Sequence, residues 1–242
     1  MSREQTYQAI VLKQSAFGEA DEIITFYTRE AGKVRALAKS VKFSTSKLRH
    51  GLQPMFFVSI TLTAAGKLPK IIGVTVNETF ARVASDPERV KRWYVASELM
   101  NKATPDEQEN PELFQLLLDF LTLLNQPQFN PAVLDSALVK FKLDLLAAIG
   151  LGVWHPAEPE ATPKFFSNSK GGFFNSRLAV DDVPITSITW NAFIELNRAS
   201  LADLGSQQVI PMGDLPGLVT DFLLYHLERE IKAEKFLASA ST

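Results

Sequence analysis

The chain has 242 residues, 46% of them hydrophobic and 21% charged, with no cysteine and a formal net charge of −2. The missing cysteines exclude disulfides and thiolate metal sites, and the length favours two domains or one domain with a large insertion. The near-neutral total hides a division. Residues 1–80 carry eleven Lys/Arg against six Asp/Glu, and residues 81–242 fourteen against twenty-one, so a polyanion partner is expected at the N-terminal end.

In chain order, Gln8 to Gln14 is a β-branched run that reads as a strand, and Phe17-Gly18-Glu19-Ala20-Asp21 supplies a turn. Ile23 to Thr28 is a second strand, and Ala31-Gly32 signals a hairpin into a third, Lys33 to Lys39. In that third strand, period two puts Lys33, Arg35, Leu37 and Lys39 on one side and Val34, Ala36 and Ala38 on the other. From Thr28 to Arg49 the cations Arg29, Lys33, Arg35, Lys39, Lys42, Lys47 and Arg49 face a single acid, Glu30. Two readings fit: a solvated strand face followed by an ordinary charged loop, or a basic ledge and loop that track a polyanion. Phe43, inside the loop, reads either as a base-stacking ring or as a core plug. Val58, Ile60 and Leu62 alternate inward in a fourth strand, Met55 to Thr63, and Leu68 to Val76 makes a fifth, with Pro69 tolerable at an edge. Five short strands with a connection after the third fit a small barrel. The five-stranded OB-fold is the named case, and an SH3-like barrel shares the pattern.

After Glu78 the period becomes helical. Asp86-Pro87, Asn110-Pro111 and Asn130-Pro131 each pair an N-cap with proline at the first helical position. They predict helices over 86–102, 113–124 and from 131 onward, the last with Leu134, Leu138, Phe141, Leu145 and Ile149 as its stripe and Gly150 and Gly152 after it. Residues 153–186 break this rhythm with four prolines, Gly171-Gly172 and scattered aromatics, and read as an insertion with one hairpin. Helix returns over 190–204 and 214–237, where Val219, Leu223, Leu227 and Ile231 form a stripe. The richest apolar run, Leu113 to Leu124, is interrupted by Gln115, Asp119 and Thr122 and is too short for a bilayer. With no signal-peptide-like stretch, a cytoplasmic location without membrane contact is expected.

Catalytic patterns are missing. There is no G-x-S-x-G, phosphate-cradling Gly-rich loop or dinucleotide fingerprint, and His50, His155 and His226 stand apart. The acidic pairs Asp181-Asp182 and Asp106-Glu107 read as solvated. The expectation is a protein that is not an enzyme and uses no cofactor or metal.

The ordered set Ala9-Ile10-Val11-Leu12, Gly18-Glu19, Phe26-Tyr27-Thr28, Gly32-Lys33, Ala38-Lys39, Ser46-Lys47 and Leu52-Gln53-Pro54 resembles the N-terminal domain of the RecO family of bacterial recombination mediators. The resemblance continues through Phe141 to Gly150 and Phe222 to Leu227. It implies an α+β, multi-domain chain: a five-stranded OB-fold β-barrel over 1–80, an all-α helical domain over 81–152 and 187–242, and a zinc-finger-like insertion lacking cysteines over 153–186. Zinc-carrying members have two Cys-x-x-Cys pairs in that insertion; here the second pair falls on Asn175 and Leu178. The resemblance further implies binding of single- and double-stranded DNA, strand annealing, and work with RecR to load RecA onto DNA coated with single-stranded-DNA-binding protein, in a bacterial cytoplasm at the nucleoid. Carried onto this sequence, the DNA-facing residues are Lys33, Arg35, Lys39, Lys42, Phe43, Lys47 and Arg49. Lys140, Phe141 and Lys142 are the expected dock for the acidic C-terminal tail of the single-stranded-DNA-binding protein. Two other readings of the residues stay open: a protein-interaction adaptor working through the helical domain, and an RNA-binding OB-fold protein.

Overall fold

The computed structural model describes residues 4–43, 46, 48–63, 68–127, 130–156, 162–204 and 209–227. Its first five strands are β1 (Glu4–Phe17), β2 (Asp21–Thr28), β3 (Gly32–Ala38), β4 (Phe57–Thr63) and β5 (Lys70–Glu78). They close into a barrel in the order β1-β2-β3-β5-β4, which fits an OB-fold. β1 is longer than its β-branched run because its two ends serve different neighbours. Residues 4–10 pair with β4 and 9–17 with β2, and a bulge at Leu12 interrupts the pairing with β2. Inside, Val11, Ile24, Phe26, Ala36, Val58 and Ile60 are wholly buried; Ala36, Val58 and Ile60 belong to the inward sets read from period two in β3 and β4. The β2–β3 hairpin depends on Gly32: its φ is +65°, and a Cβ there would sit 1.9 Å from the Gln108 carbonyl oxygen.

The helices follow the cap signals. A short α1 (Ala81–Ser85) precedes α2 (Pro87–Ala103), α3 (Pro111–Leu124) and α4 (Pro131–Ala148). Asp86 accepts from the Glu88 amide at 2.9 Å, Asn110 from Leu113 at 3.0 Å and Asn130 from Ala132 at 3.0 Å, so each cap satisfies an amide that the helix leaves unpaired. α4 runs through the middle of the helical core and is buried around most of its circumference, including Ser136, Lys140 and Lys142. α5 (Ser187–Arg198), α6 (Leu201–Leu204) and α7 (Leu215–Leu227) complete the described helices. Val219 and Leu223 point into the core as expected, and Ile231 lies outside the described residues.

The insertion holds more than one hairpin. β6 (Phe165–Ser167) pairs with both β7 (Gly172–Phe174) and β8 (Val183–Pro184) in a three-stranded antiparallel sheet. Aromatic packing seats it on the helices. The Trp154 ring stacks on Phe174 at 4.8 Å, Phe173 meets Phe193 at 4.6 Å and Phe166 meets Phe222 at 5.7 Å. Leu178 lies in a turn that the Asp182 carboxylate closes by accepting the Leu178 and Ala179 amides at 2.6 and 2.8 Å. Asp182 is thus a buried turn acceptor rather than the solvated acid its sequence suggested. Among the described residues no group of three or more His, Asp or Glu is placed to hold a metal ion, and no helix is long and apolar enough to cross a membrane.

Candidate nucleic-acid interface

Register fixes which side chains share the outer face of β1, β2 and β3. Lys13 lies opposite Thr25, which lies opposite Arg35; Ser15 lies opposite Ile23, which lies opposite Leu37. The face therefore carries a polar rung of Lys13, Thr25 and Arg35 beside an apolar one centred on Ile23 and Leu37. Phe17, 50% exposed, extends the apolar strip at the end of β1. This accounts for Leu37, which did not fit a purely basic ledge: it packs in register with Ile23, and the cations Arg35 and Lys39 flank it. Lys70 borders the same strip, opposite Leu37 on one side and Thr63 on the other.

The segment after β3 is folded back against the β1–β2 turn. The Ser40 amide donates to Asp21 Oδ1 at 2.7 Å, the Lys42 amide to the Ala20 carbonyl at 3.1 Å, and Lys42 Nζ to the Gly18 carbonyl at 3.0 Å. Ser40, at φ +54°, makes the reversal possible. These bonds hold the exposed Lys42 at the end of the strip. Phe43 follows at 57% exposure; it is not a core plug. Arg49 is exposed in a single 3₁₀ turn over Arg49–Gly51. Lys47 lies outside the described residues.

The open ledge loses Lys33. Its outward position is covered by the end of α2 and the α2–α3 connector, leaving the residue 8% exposed. Nζ donates to the Asn101 and Thr104 carbonyls at 2.7 and 2.6 Å and pairs with Asp106 at 3.2 Å. Its ammonium is taken up in the seam between barrel and helices, so it is no surface cation. Period two gave the correct face but could not show that a helix covers one end of it. The same end carries Ile10, Leu12 and Tyr27, all packed into the helical core. Burial there pushes the Tyr27 phenol up to about 12.

The expected dock on α4 is also overturned as a surface. Phe141 is wholly buried; Lys140 is 6% and Lys142 3% exposed. Lys140 Nζ pairs with Asp144 at 2.6 Å and Lys142 Nζ reaches Thr220 Oγ1 at 2.9 Å. Desolvation raises the Asp144 carboxyl despite the neighbouring ammonium. These lysines knit α4 to itself and to α7, because α4 is the central helix and presents no open face at these positions.

Sequence reasoning missed Lys13, Phe17 and Ile23 as members of the outer face. The bulge at Leu12 shifts the alternation of β1 by one residue, and that shift puts Lys13 and Phe17 on the outer side. It also missed Asp106, read as solvated: the carboxylate pairs with Lys33 and, through Oδ2 at 3.1 Å, with Arg35.

The fold and this face define a class: an OB-type barrel with a cationic, partly apolar outer face, joined through a buried lysine to a helical domain. The family model "Recombination protein O N terminal" matches residues 1–80 and "Recombination protein O C terminal" residues 84–235. The chain is 31% identical over 241 residues to "DNA repair protein RecO" of Pelotomaculum thermopropionicum, covering 95% of this chain and 91% of the relative. It is 28% identical to the protein of that name from Anaeromyxobacter sp. (94% and 93% covered) and 27% identical to that of Myxococcus xanthus (95% of each). The chain belongs to the RecO family.

Proposed function

We propose that this chain is a DNA-binding recombination mediator that acts in DNA repair without catalysing a reaction. The observation that carries the reading is the outer face of β1–β2–β3 and the loop after it, where Arg35, Lys39, Lys42, Arg49 and the Phe43 ring all stand exposed. Lys47 belongs to the same loop by sequence. The cations track phosphates and Phe43 stacks a base, an arrangement that tolerates any sequence and weakens steeply with salt. The relatives' name, DNA repair protein RecO, supports the cellular role. On this reading the chain takes single and double strands, anneals complementary ones, and with RecR loads RecA onto DNA coated with single-stranded-DNA-binding protein at the nucleoid. Its parts are the barrel over 1–80, the helical domain over 81–152 and 187–242, and the insertion over 153–186. The acidic tail of the single-stranded-DNA-binding protein docks on the helical domain away from the buried Lys140–Lys142 segment.

The test is charge reversal of Lys39, Lys42 and Lys47 to Glu, with single-strand binding measured from low to high salt. Affinity should fall and the salt dependence flatten. Unchanged affinity and slope would remove this face from the reading. Annealing of complementary oligonucleotides coated with single-stranded-DNA-binding protein tests the mediator step itself.

A further inference from the structure

Asp106 stands where the α2–α3 connector reaches onto the cationic face. The α2–α3 connector runs beside β3: the Glu107 amide donates to the Lys33 carbonyl at 2.8 Å, and Lys33 and Asp106 form an isolated bridge parallel to the strand. The approach is so close that Gly32 has no room for a Cβ against Gln108. The connector thereby delivers the two Asp106 oxygens to different cations. Oδ1 takes Lys33 Nζ at 3.2 Å and Oδ2 takes Arg35 Nη2 at 3.1 Å. The Lys33 side chain is 10% exposed and has two carbonyl acceptors besides the acid, whereas the Arg35 side chain is 56% exposed and Asp106 itself 46%. The buried half of this arrangement anchors the acid, and the open half leaves its second oxygen on a guanidinium that faces solvent.

A carboxylate held this way offers Arg35 the geometry that a phosphate oxygen would offer. We propose that Asp106 is a built-in competitor for the nucleic-acid phosphate at Arg35, so that the helical domain sets how tightly the barrel face binds. This rests on the reading of that face as a DNA track. When a strand binds, its phosphate takes Arg35 from Asp106 Oδ2, and Lys33 retains Oδ1. The exchange is reversible because an exposed ion pair is weak. Polyanion affinity is therefore restrained by an acid that the barrel does not itself contain.

The test is a double-mutant cycle on the full chain, with a fluorescein-labelled single-stranded oligonucleotide titrated from low to high salt. Asp106→Asn should tighten binding by roughly threefold, the scale of an exposed pair, and steepen the logarithmic salt slope by about 0.7, one more phosphate contact. Glu109→Gln removes the same charge from the same connector and should give a smaller gain. In an Arg35→Ala background the gain from Asp106→Asn should vanish, because the acid acts through that arginine. If Asp106→Asn is unstable to heating, Asp106→Ser carries the same cycle. An equal gain for Glu109→Gln, or a gain that persists without Arg35, overturns the proposal while the DNA-track reading stands. Failure of the unmutated chain to bind the oligonucleotide at low salt sinks the DNA-track reading instead.

Discussion

The barrel shows two outer faces that obey the same period-two rule and end in different chemistry. On one, Lys13, Phe17, Ile23, Arg35 and Leu37 combine cations with apolar side chains. On the other, Thr6, Ser59, Thr61, Thr75 and Asn77 are hydroxyls and amides; Thr6 meets Thr61 at 3.2 Å, Asn77 Nδ2 donates to Ser59 at 3.1 Å, and Thr75 lies opposite Ser59. The middle of the second face, at Ser59, Thr61 and Thr75, is met by hydroxyls, with Lys70 only at its edge opposite Thr63, so solvation alone does not call for the cations at Lys13 and Arg35. A further division lies along the first face. Its far end, with Tyr27 and Lys33, lies under the helices, and its near end is open. A residue's place along the strand therefore decides whether an outward lysine binds or braces.

The largest expected contrast comes from placing the same charges on the two faces. Lys39→Glu with Lys42→Glu should weaken single-strand binding by about a hundredfold at low salt, since each change removes a phosphate contact and adds repulsion. Thr61→Glu with Thr75→Glu adds two acids to the hydroxyl face and should leave affinity within about twofold. A threonine-pair loss about half that of the lysine pair on a logarithmic scale, in proportion to charge changes of two and four, would show in a titration of one oligonucleotide that net charge alone governs binding. At the covered end the readout changes from binding to stability. Lys33→Met leaves the Asn101 and Thr104 carbonyls without their ammonium and should cost about 2–3 kcal/mol in denaturant unfolding, with the salt slope of binding unchanged. A large affinity loss in a stably folded Lys33→Met would return Lys33 to the DNA track.

Tyr27 gives the covered end a signature in pH. Its phenol titrates near 10.0 in the open chain and near 12 in the folded one. The folded state thus favours the neutral form, and this contribution is complete below pH 10 and is lost as pH rises toward 12. About 2–3 kcal/mol should disappear across that window, and Tyr27→Phe should remove that part of the alkaline loss. An identical alkaline profile in Tyr27→Phe would mean the phenol is not held neutral by the seam. On the open end, Phe43→Ala should weaken single-strand binding by about tenfold, the scale of one stacked base, without shifting the unfolding midpoint. If the midpoint falls instead, Phe43 belongs to the core.

Local signals made most of this architecture legible. The three cap-and-proline pairs at Asp86, Asn110 and Asn130 placed their helices, because a cap is satisfied within its own first turn. The inward set of β3 and β4 was readable for the same reason: alternation is a property of one strand. What escaped depends on what another segment does. Lys33 reads as a surface cation until α2 is laid over it, and Lys140 and Lys142 read as flanking lysines until α4 is found in the centre of its bundle. Asp106 and Asp182 look solvated in sequence because neither partner cations nor turn amides are marked there. Lys13 and Phe17 were hidden by the Leu12 bulge, a single extra residue that turns the rest of β1 over. The site was therefore legible as a stretch of charge, and its membership was not.

The smallest effect probes the hydroxyl face from the opposite direction. Thr75→Lys places a new cation on an exposed position of β5, on the face away from Arg35 and Lys39. If binding responded to the summed charge of the barrel, this lysine would help about as much as any other and would steepen the salt slope by about 0.7. If the strand follows the strip beside Ile23 and Leu37, the new charge meets no phosphate and acts through screened solvent across the barrel. Beyond a Debye length of about 8 Å at physiological ionic strength that attraction is largely lost. The expected outcome is a gain below about twofold at low salt that disappears at physiological salt, with the slope unchanged. A slope that steepens as though a contact had formed would place part of the strand's path over β5, and the hydroxyl face would then belong to the interface.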